Sequence, residues 1–244
     1  MINDYLNYVI GWLSDPLAGA VRRQEPLLFT LHGWINLFAV GFALPVGAII
    51  ARYFKVTRRQ DWPRQVDSKF WWRGHLLLSY LGVALMIAAQ VPIANFSHFL
   101  DLRGFSQLKL THLAHFASGW LFLLMGIFIV FTGWLRGSKG GPTDKQLRGD
   151  HYDLTERRLL FEAIHKKVGY ALLTLSCFVA ITGLFAAAMP RWSLGLLIIW
   201  WSFLLLLSFR YELGGKQIPT YQATWGLKLE HPGNRRRYPK DRRF

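Results

Sequence analysis

The chain has 244 residues, of which 52% are hydrophobic, and it carries a formal net charge of +15 with a single cysteine, Cys177. One cysteine excludes an intramolecular disulfide. The positive charge lies in loops beside long apolar stretches, where membrane topology and anionic lipid headgroups explain it, and this placement argues against a nucleic-acid partner.

Residues 1–24 precede the first long apolar stretch and contain a short apolar patch that Asp15 and Pro16 interrupt. The patch is too short to cross a bilayer, and it lacks the basic start and the small-residue cleavage site of a signal peptide. We interpret residues 1–24 as an interfacial segment with a short amphipathic helix that contacts lipid or a partner protein. A frayed terminus is the alternative.

Five apolar stretches follow, and each is long enough for a hydrocarbon core about 30 Å thick, which takes about 20 helical residues. Each is apolar on all sides, as expected for helices surrounded by lipid and other helices. We place the spans near residues 27–51, 75–99, 110–135, 159–189 and 192–209. The predicted fold is an all-α integral membrane protein with a four-helix core (25–190), a fifth transmembrane helix (191–210) and a basic cytoplasmic tail (211–244).

Lysine and arginine are distributed unevenly between alternate loops. Seven lie between spans one and two, six between spans three and four, and nine after span five at residues 210–244, against five on the opposite side. Because cytoplasmic loops are the basic ones, this pattern places the N-terminus outside and the C-terminus in the cytoplasm. The predicted location is the inner (plasma) membrane, with several passes.

Histidines recur near the amino-terminal ends of four consecutive spans, as His32, His75, His115 and His165. Consecutive spans are antiparallel, so these ends alternate between the two membrane faces. His32 and His115 therefore fall on the outer side, and His75 and His165 fall on the cytoplasmic side. His112 is an alternative to His115, and we interpret it as an interfacial residue or one that supports the site.

Two imidazoles on facing helices can ligate one haem iron, and the cores of helix bundles hold such sites. A porphyrin needs room beside the backbone, and Gly119 and Gly169 each follow a histidine by four residues, on the same helix face. Helix–helix hydrogen bonding is the usual role of a single membrane histidine. Four histidines sorted by face favour two b-type haems. Zinc is disfavoured because it needs three or four close ligands.

The motifs around these histidines are also those of a known family. Span one begins with LHGW at residues 31–34 and ends with LPVGAIIARYFK at residues 44–55, and spans three and four each contain His-x-x-x-Gly. Together these motifs resemble the cytochrome b561 family of transmembrane electron-transfer proteins, and the loop before span two is similar to its bacterial branch. The resemblance covers about residues 28–190.

The resemblance implies two haem b groups in a four-helix core, with the first core helix paired with the third and the second with the fourth. His32 would then share a haem with His115, and His75 would share one with His165. The chain would act as a transmembrane oxidoreductase between a donor, often ascorbate or a quinol, and an acceptor on the other side. At 1.5 Å rise per residue, we expect the two irons to lie on the order of 20 Å apart along the membrane normal.

Basic residues are candidates for two further roles. By resemblance, Arg52 and Lys55 mark a donor site at the cytoplasmic end of span one, with ordinary membrane anchoring as the alternative. Candidate partners for the propionates of the cytoplasmic haem are Lys69, Arg73, Lys166 and Lys167. One departure from the family is the WLRG sequence at residues 134–137, where members often have Arg-Pro.

A second hypothesis makes the chain an accessory or anchoring subunit of a larger membrane complex, with haem as a relay or absent. Residues 1–24 and the basic tail would then be surfaces for a partner protein or for a second copy in a homodimer. The visible spectrum of the purified protein separates the two hypotheses.

Overall fold

The computed structural model describes residues 2–17, 27–93, 107–138, 140–141 and 150–237. Within these ranges every regular element is a helix, and one isolated bridge joins Pro16 and Pro190. The all-α prediction is therefore confirmed for the described part of the chain. Three predicted segments fall partly outside it, at residues 18–24, 94–99 and 238–244.

Five helical stretches in the described ranges are long and apolar enough to cross a membrane, as predicted. They are Leu27–Tyr53, Phe70–Ala88, Leu110–Trp134, Glu156–Ala186 and Arg191–Leu213. Each provides roughly the 20 residues that a hydrocarbon core requires. The chain is a multi-pass membrane protein.

We number the helices α1 (Ile2–Ser14), α2 (Leu27–Phe38), α3 (Leu44–Tyr53), α4 (Phe70–Ala88), α5 (Gln107–Trp134), α6 (Asp150–Asp153), α7 (Glu156–Ala186), α8 (Arg191–Leu213), α9 (Thr220–Trp225) and α10 (Pro232–Arg237). Their ends differ from the predicted ends by a few residues. The largest difference is in α4, which begins before His75 and ends at Ala88, where a 3₁₀ turn, Val91–Ile93, follows. Pro92 in that turn has no amide hydrogen, so an α-helix cannot continue through it.

Span one is interrupted by a π-helical turn, Ala39–Ala43, which joins α2 to α3 and which the sequence pattern did not predict. Pro45 has no amide hydrogen, so the carbonyl of Gly41, four residues earlier, loses its usual helical hydrogen bond. The indole Nε1–H of Trp200 in α8 donates to that carbonyl at 2.8 Å. The irregular backbone is thus satisfied by a side chain of the fifth span, as a membrane interior requires.

The contacts divide the chain into two compact units, and unit 1 comprises Met1–Pro45, Leu81–Gly126 and Leu172–Leu206. Met86 and Phe122 lie in its core, each with 2% of its surface exposed. Gly82 lets helices pack closely, because a Cβ there would lie 2.8 Å from Leu44 Cδ2. Small residues of this kind are typical of contacts between membrane helices.

Helix α1 in unit 1 is the predicted N-terminal helix, and its end is bound to the turn between α7 and α8. The amide of Leu17 donates to Met189 O at 2.9 Å, and the amide of Arg191 donates to Asp15 O at 3.0 Å. The Arg191 guanidinium donates to Trp12 O at 2.9 Å and lies 4.7 Å from that indole ring. Large apolar side chains are exposed along α1: Tyr5, Leu6, Tyr8, Ile10 and Trp12. Its interfacial role stays a prediction.

Unit 2 comprises Val46–Tyr80, Ile127–Ala171 and Leu207–Phe244. It includes α9 and α10, so part of the segment predicted as a basic tail is folded. Tyr221, with 1% of its surface exposed, stacks on His151 with ring centres 5.9 Å apart, and its hydroxyl accepts from the Gly233 amide at 3.0 Å. The Asn234 side chain donates to Gly226 O at 2.9 Å. These short elements give no periodic apolar pattern from which they could be predicted.

Candidate functional site

The four span histidines meet in two pairs, one in each unit. In unit 1 the rings of His32 in α2 and His115 in α5 lie with their centres 6.3 Å apart and their planes at 88°. In unit 2 the rings of His75 in α4 and His165 in α7 lie 6.1 Å apart, with planes at 78°. All four residues are half-buried. The ring that faces His32 belongs to His115, which we predicted as the haem ligand, with His112 as the alternative.

His32 is held by the end of another span. Its Nδ1–H donates to the carbonyl of Ala89 at 2.8 Å, just beyond the last residue of α4. Asn36, one turn along α2, donates its amide to His32 O at 3.0 Å and lies 3.4 Å from His32 Nε2. The early end of α4 therefore supplies the acceptor that orients this imidazole.

His115 is held by α7. Its Nδ1–H donates to the carbonyl of Val179 at 3.1 Å, and the hydroxyl of Thr182 lies 3.4 Å from the same nitrogen. Gly183 makes this approach feasible, because a Cβ there would lie 2.9 Å from Cε1 and 3.3 Å from Nδ1 of His115. Any larger residue at position 183 would displace the ring.

The second pair is held in a similar way. The Nδ1–H of His75 donates to the carbonyl of Gly47 in α3 at 3.1 Å. Gly47 also allows α3 to approach α4, since a Cβ there would lie 3.2 Å from Leu78 Cβ. His165 Nδ1 lies 3.5 Å from the hydroxyl of Thr132, which donates its own hydrogen to Ile129 O at 2.8 Å. His165 is therefore the most loosely held of the four imidazoles.

These contacts select one chemical form of the rings. A backbone carbonyl only accepts, so Nδ1 carries the proton on His32, His75 and His115, and the lone pair is left on Nε2. A hydrogen bond from the remote ring nitrogen to a carbonyl is also the usual support of a metal-bound histidine. These three imidazoles are thus in the form that binds a metal ion.

The separation of each pair matches that of two imidazoles that would hold a single metal ion. A bond from a first-row metal such as zinc to imidazole nitrogen is about 2.0 Å long, and the ring centre lies roughly 1.1 Å behind that nitrogen, so two rings on one ion have centres about 6 Å apart. The observed separations are 6.3 and 6.1 Å.

The predicted glycines differ in the space beside them. A Cβ at Gly119 would meet no atom within 4 Å, and the same holds for Gly33, which follows His32. A Cβ at Gly169 would lie 3.4 Å from Ile129 Cδ1. The helix surface beside His115 and His32 is therefore open, as it is at Gly195 in α8, while Gly169 mainly lets α5 and α7 pack.

Larger metal clusters do not occur in the described part of the chain, where no group of three or more histidine, cysteine, aspartate or glutamate side chains comes together. The candidate metal ligands among these residues are therefore the two histidine pairs. A four-coordinate zinc site needs more protein ligands than either pair provides.

The predicted donor residues have partners within unit 2. Arg52 forms an ion pair with Glu212, and its guanidinium also donates to the hydroxyl of Tyr170 at 2.6 Å. Lys55 Nζ donates to the carbonyl of Ile218 at 3.0 Å. A donor molecule that used either cation would have to compete with these contacts.

Several residues of the site were not predicted, among them Asn36, Gly183 and Thr132, together with the carbonyl of Val179. Gly183 lies on α7 and serves a histidine of α5, so no spacing within one helix marks it. A glycine that faces a histidine across a helix pair is visible only once the pairing of the helices is known.

Comparisons of the chain with protein-family models, with curated proteins and with solved structures give no match. The sequence motifs and the two imidazole pairs are therefore the features from which a function can be inferred.

Proposed function

We propose that this chain is a cytochrome b561-like protein that binds two b-type haems and transfers electrons across the membrane. His32 and His115 would ligate one haem, and His75 and His165 would ligate the other. The observation that carries the proposal is the meeting of imidazoles from non-consecutive spans as two pairs, 6.3 and 6.1 Å apart. The span-one motif and the two His-x-x-x-Gly motifs support the same reading.

A haem iron with two imidazole ligands supplies one-electron exchange between its ferric and ferrous states. The chain's own residues determine how that iron is held. The carbonyls of Ala89, Val179 and Gly47 fix the orientation of three rings and raise the basicity of their Nε2 atoms. Two histidines would hold each haem, and a ligand set of this kind suits electron transfer rather than oxygen chemistry.

Haem binding accounts for more of the observations than helix–helix hydrogen bonding by the histidines does. A helix–helix hydrogen bond would need only one histidine at each contact, and would not require a second imidazole about 6 Å away. The surface at Gly119 and Gly33 is open, so a porphyrin could approach the helix backbone there. We expect a porphyrin to occupy that surface.

The direction of insertion follows from the charges of the loops. The positive-inside rule places the loops between spans one and two and between spans three and four in the cytoplasm. The His75 and His165 pair would then lie near the cytoplasmic face of the inner membrane, and the His32 and His115 pair near the outer face. A small-molecule donor, such as a quinol or ascorbate, and an acceptor on the opposite side complete the proposed reaction.

The test is haem content and spectrum after purification of the full chain. We expect two b-type haems per chain, with one lost in His115→Ala and the other lost in His165→Ala. His112→Ala is the matched control, because it removes an imidazole from α5 one turn from His115 and should keep both haems. A colourless wild-type protein, or two haems retained in both pair variants, would refute the proposal.

A second candidate is favoured by the exposed apolar side chains of α1, of which Tyr8 is 71% exposed. An exposed helix of this kind suits an accessory subunit that docks onto a larger membrane complex. A colourless chain that co-purifies with a fixed partner through α1 would support this function. Two haems in the chain purified alone would support electron transfer.

A further inference from the structure

The end of α5 places an arginine, Arg136, against the first turn of α4 in unit 2. The Arg136 guanidinium lies 4.0 Å from the centre of the Trp72 ring, a typical cation–π distance. Trp134, the last residue of α5, donates its indole N–H to the hydroxyl of Tyr80 in α4 at 2.9 Å. These two contacts hold the end of span three against span two and fix the position of the cation.

Arg136 has no carboxylate partner and makes no hydrogen bond in the part of the chain that the structure describes. Burial, and then the positive charge of Arg158, lower the pKa of Arg136 to about 10, so Arg136 is still charged at neutral pH. Arg158 is itself paired with Glu162 and does not belong to the site. A partly buried charge is costly unless an opposite charge compensates it. The position of Arg136 therefore favours an anion that the described residues do not supply.

The surface around Arg136 is apolar and exposed. Trp134 is 67% exposed, Leu135 is 57% exposed, and Phe131, one turn earlier on α5, is 51% exposed. Because α5 is one of the five helices long and apolar enough to cross a membrane, these side chains face lipid. Tryptophan and tyrosine are typical of the level at which lipid headgroups lie. The cation is thus placed at headgroup level, beside a surface suited to acyl chains.

An anionic phospholipid matches both parts of this surface. Its phosphate accepts hydrogen bonds from the planar fork of a guanidinium, and its acyl chains would cover Trp134 and Leu135. A zwitterionic lipid fits less well, because the cation of its own headgroup offsets the phosphate charge and would lie near the guanidinium. The loop that begins at Arg136 is also one that the distribution of basic residues assigns to the cytoplasm, where anionic lipids attract them.

We infer that Arg136 and Trp72 form a binding site for one anionic phospholipid of the cytoplasmic leaflet. The guanidinium binds the phosphate, and the Trp72 ring holds the guanidinium in position between the ends of α4 and α5. This inference involves no haem, so it is independent of the proposed function. It differs from the general attraction of basic loops to lipid because it assigns one lipid to one position.

The test is native mass spectrometry of the purified full chain, titrated with phosphatidylglycerol and with phosphatidylcholine that carry the same acyl chains. We expect one phosphatidylglycerol to bind the wild type at least about tenfold more tightly than phosphatidylcholine does. Arg136→Gln should bind phosphatidylglycerol about tenfold more weakly than the wild type and should bind phosphatidylcholine as before. Arg136→Lys should lie between them, because an ammonium group keeps the charge but lacks the planar fork.

The matched control is Arg64→Gln, which makes the same change of charge in unit 2 at a side chain that is 87% exposed and pairs with Asp61. It should bind phosphatidylglycerol like the wild type. Equal losses of affinity in Arg64→Gln and Arg136→Gln would mean that only the overall charge matters, and would overturn the inference.

Two measurements on the wild type need no substitution and remain valid if Arg136→Gln does not fold. Equal affinities for phosphatidylglycerol and phosphatidylcholine would mean that Arg136 is merely hydrated, and the lipid site would be rejected. Millimolar inorganic phosphate should leave the phosphatidylglycerol bound, because free phosphate covers none of the apolar surface at Trp134 and Leu135. Displacement of the lipid at that concentration would indicate a plain phosphate site and would also reject the lipid site.

Discussion

Gly183→Ala tests how tightly the structure fixes the position of the His115 ring. The added Cβ would lie 2.9 Å from His115 Cε1, and an ordinary contact begins at 3.4 Å, so the ring must move by at least 0.5 Å. That displacement lengthens the hydrogen bond from His115 Nδ1 to Val179 O, now 3.1 Å, and alters the spacing to His32. Preorganised sites tolerate errors of only about 0.5 Å.

The weakening of the hydrogen bond from His115 can be converted into a change in haem affinity. Weakening the hydrogen bond that supports a metal-bound histidine typically costs about 10- to 100-fold in metal affinity. We therefore expect the haem of the His32 and His115 pair to bind about 10- to 100-fold more weakly in Gly183→Ala, which is about 1.4–2.8 kcal/mol. The measurement is titration of haem-free protein with haem, followed by its visible absorbance.

The matched control is Gly195→Ala in α8, also in unit 1, where a Cβ would meet no atom within 4 Å. It should bind both haems like the wild type, because alanine favours a helix and touches nothing there. Wild-type haem affinity in Gly183→Ala would show that the ring of His115 is not confined as the structure indicates, and the reasoning would fail.

Three further predictions concern the same fold. The Gly119→Leu protein should reach wild-type levels in the membrane, because the surface at Gly119 is open, but it should lose the haem of the His32 and His115 pair. Two retained haems would mean that the porphyrin binds elsewhere. Trp200→Phe should lower the free energy of unfolding by about 1–3 kcal/mol, because it leaves the Gly41 carbonyl unsatisfied. Trp201→Phe should lower it less, because the buried Trp201 Nε1–H has no acceptor in the described residues. Equal melting temperatures of the two variants would contradict this prediction. A phosphatase reporter, active only outside the cytoplasm, should be inactive at the C-terminus and active at the N-terminus, and the reverse result would invert the topology.

The spans and the sorting of the histidines could be predicted from the sequence because both depend on local rules. A span needs about 20 apolar residues, and consecutive spans alternate in direction, so one histidine near the start of each of four spans already assigns it to a face. The all-α fold and the five spans follow from the same rules. The hydrogen-bond partner of each ring does not follow from them.

The parts of the fold and of the candidate site that could not be predicted depend on contacts between distant parts of the chain. The carbonyls of Ala89 and Val179 are ordinary backbone groups, and only packing makes them acceptors for His32 and His115. Arg136 was counted only as a loop charge, because its cation–π contact with Trp72 joins the end of α5 to α4, which is distant in the sequence. The folding around Tyr221 was missed since short polar helices leave no periodic signal.

The hydrogen bond from the Trp200 indole to Gly41 has a consequence for engineering a minimal protein. The fifth span lies outside the predicted haem core, yet it supplies the donor that the helix of His32 lacks at Pro45. A shortened chain that stops after the fourth span would expose an orphan carbonyl to hydrocarbon, in the same span as a proposed cofactor ligand. A designer who wants only four helices should therefore replace Pro45 with an amide-bearing residue such as alanine, so that the first span can close its own backbone.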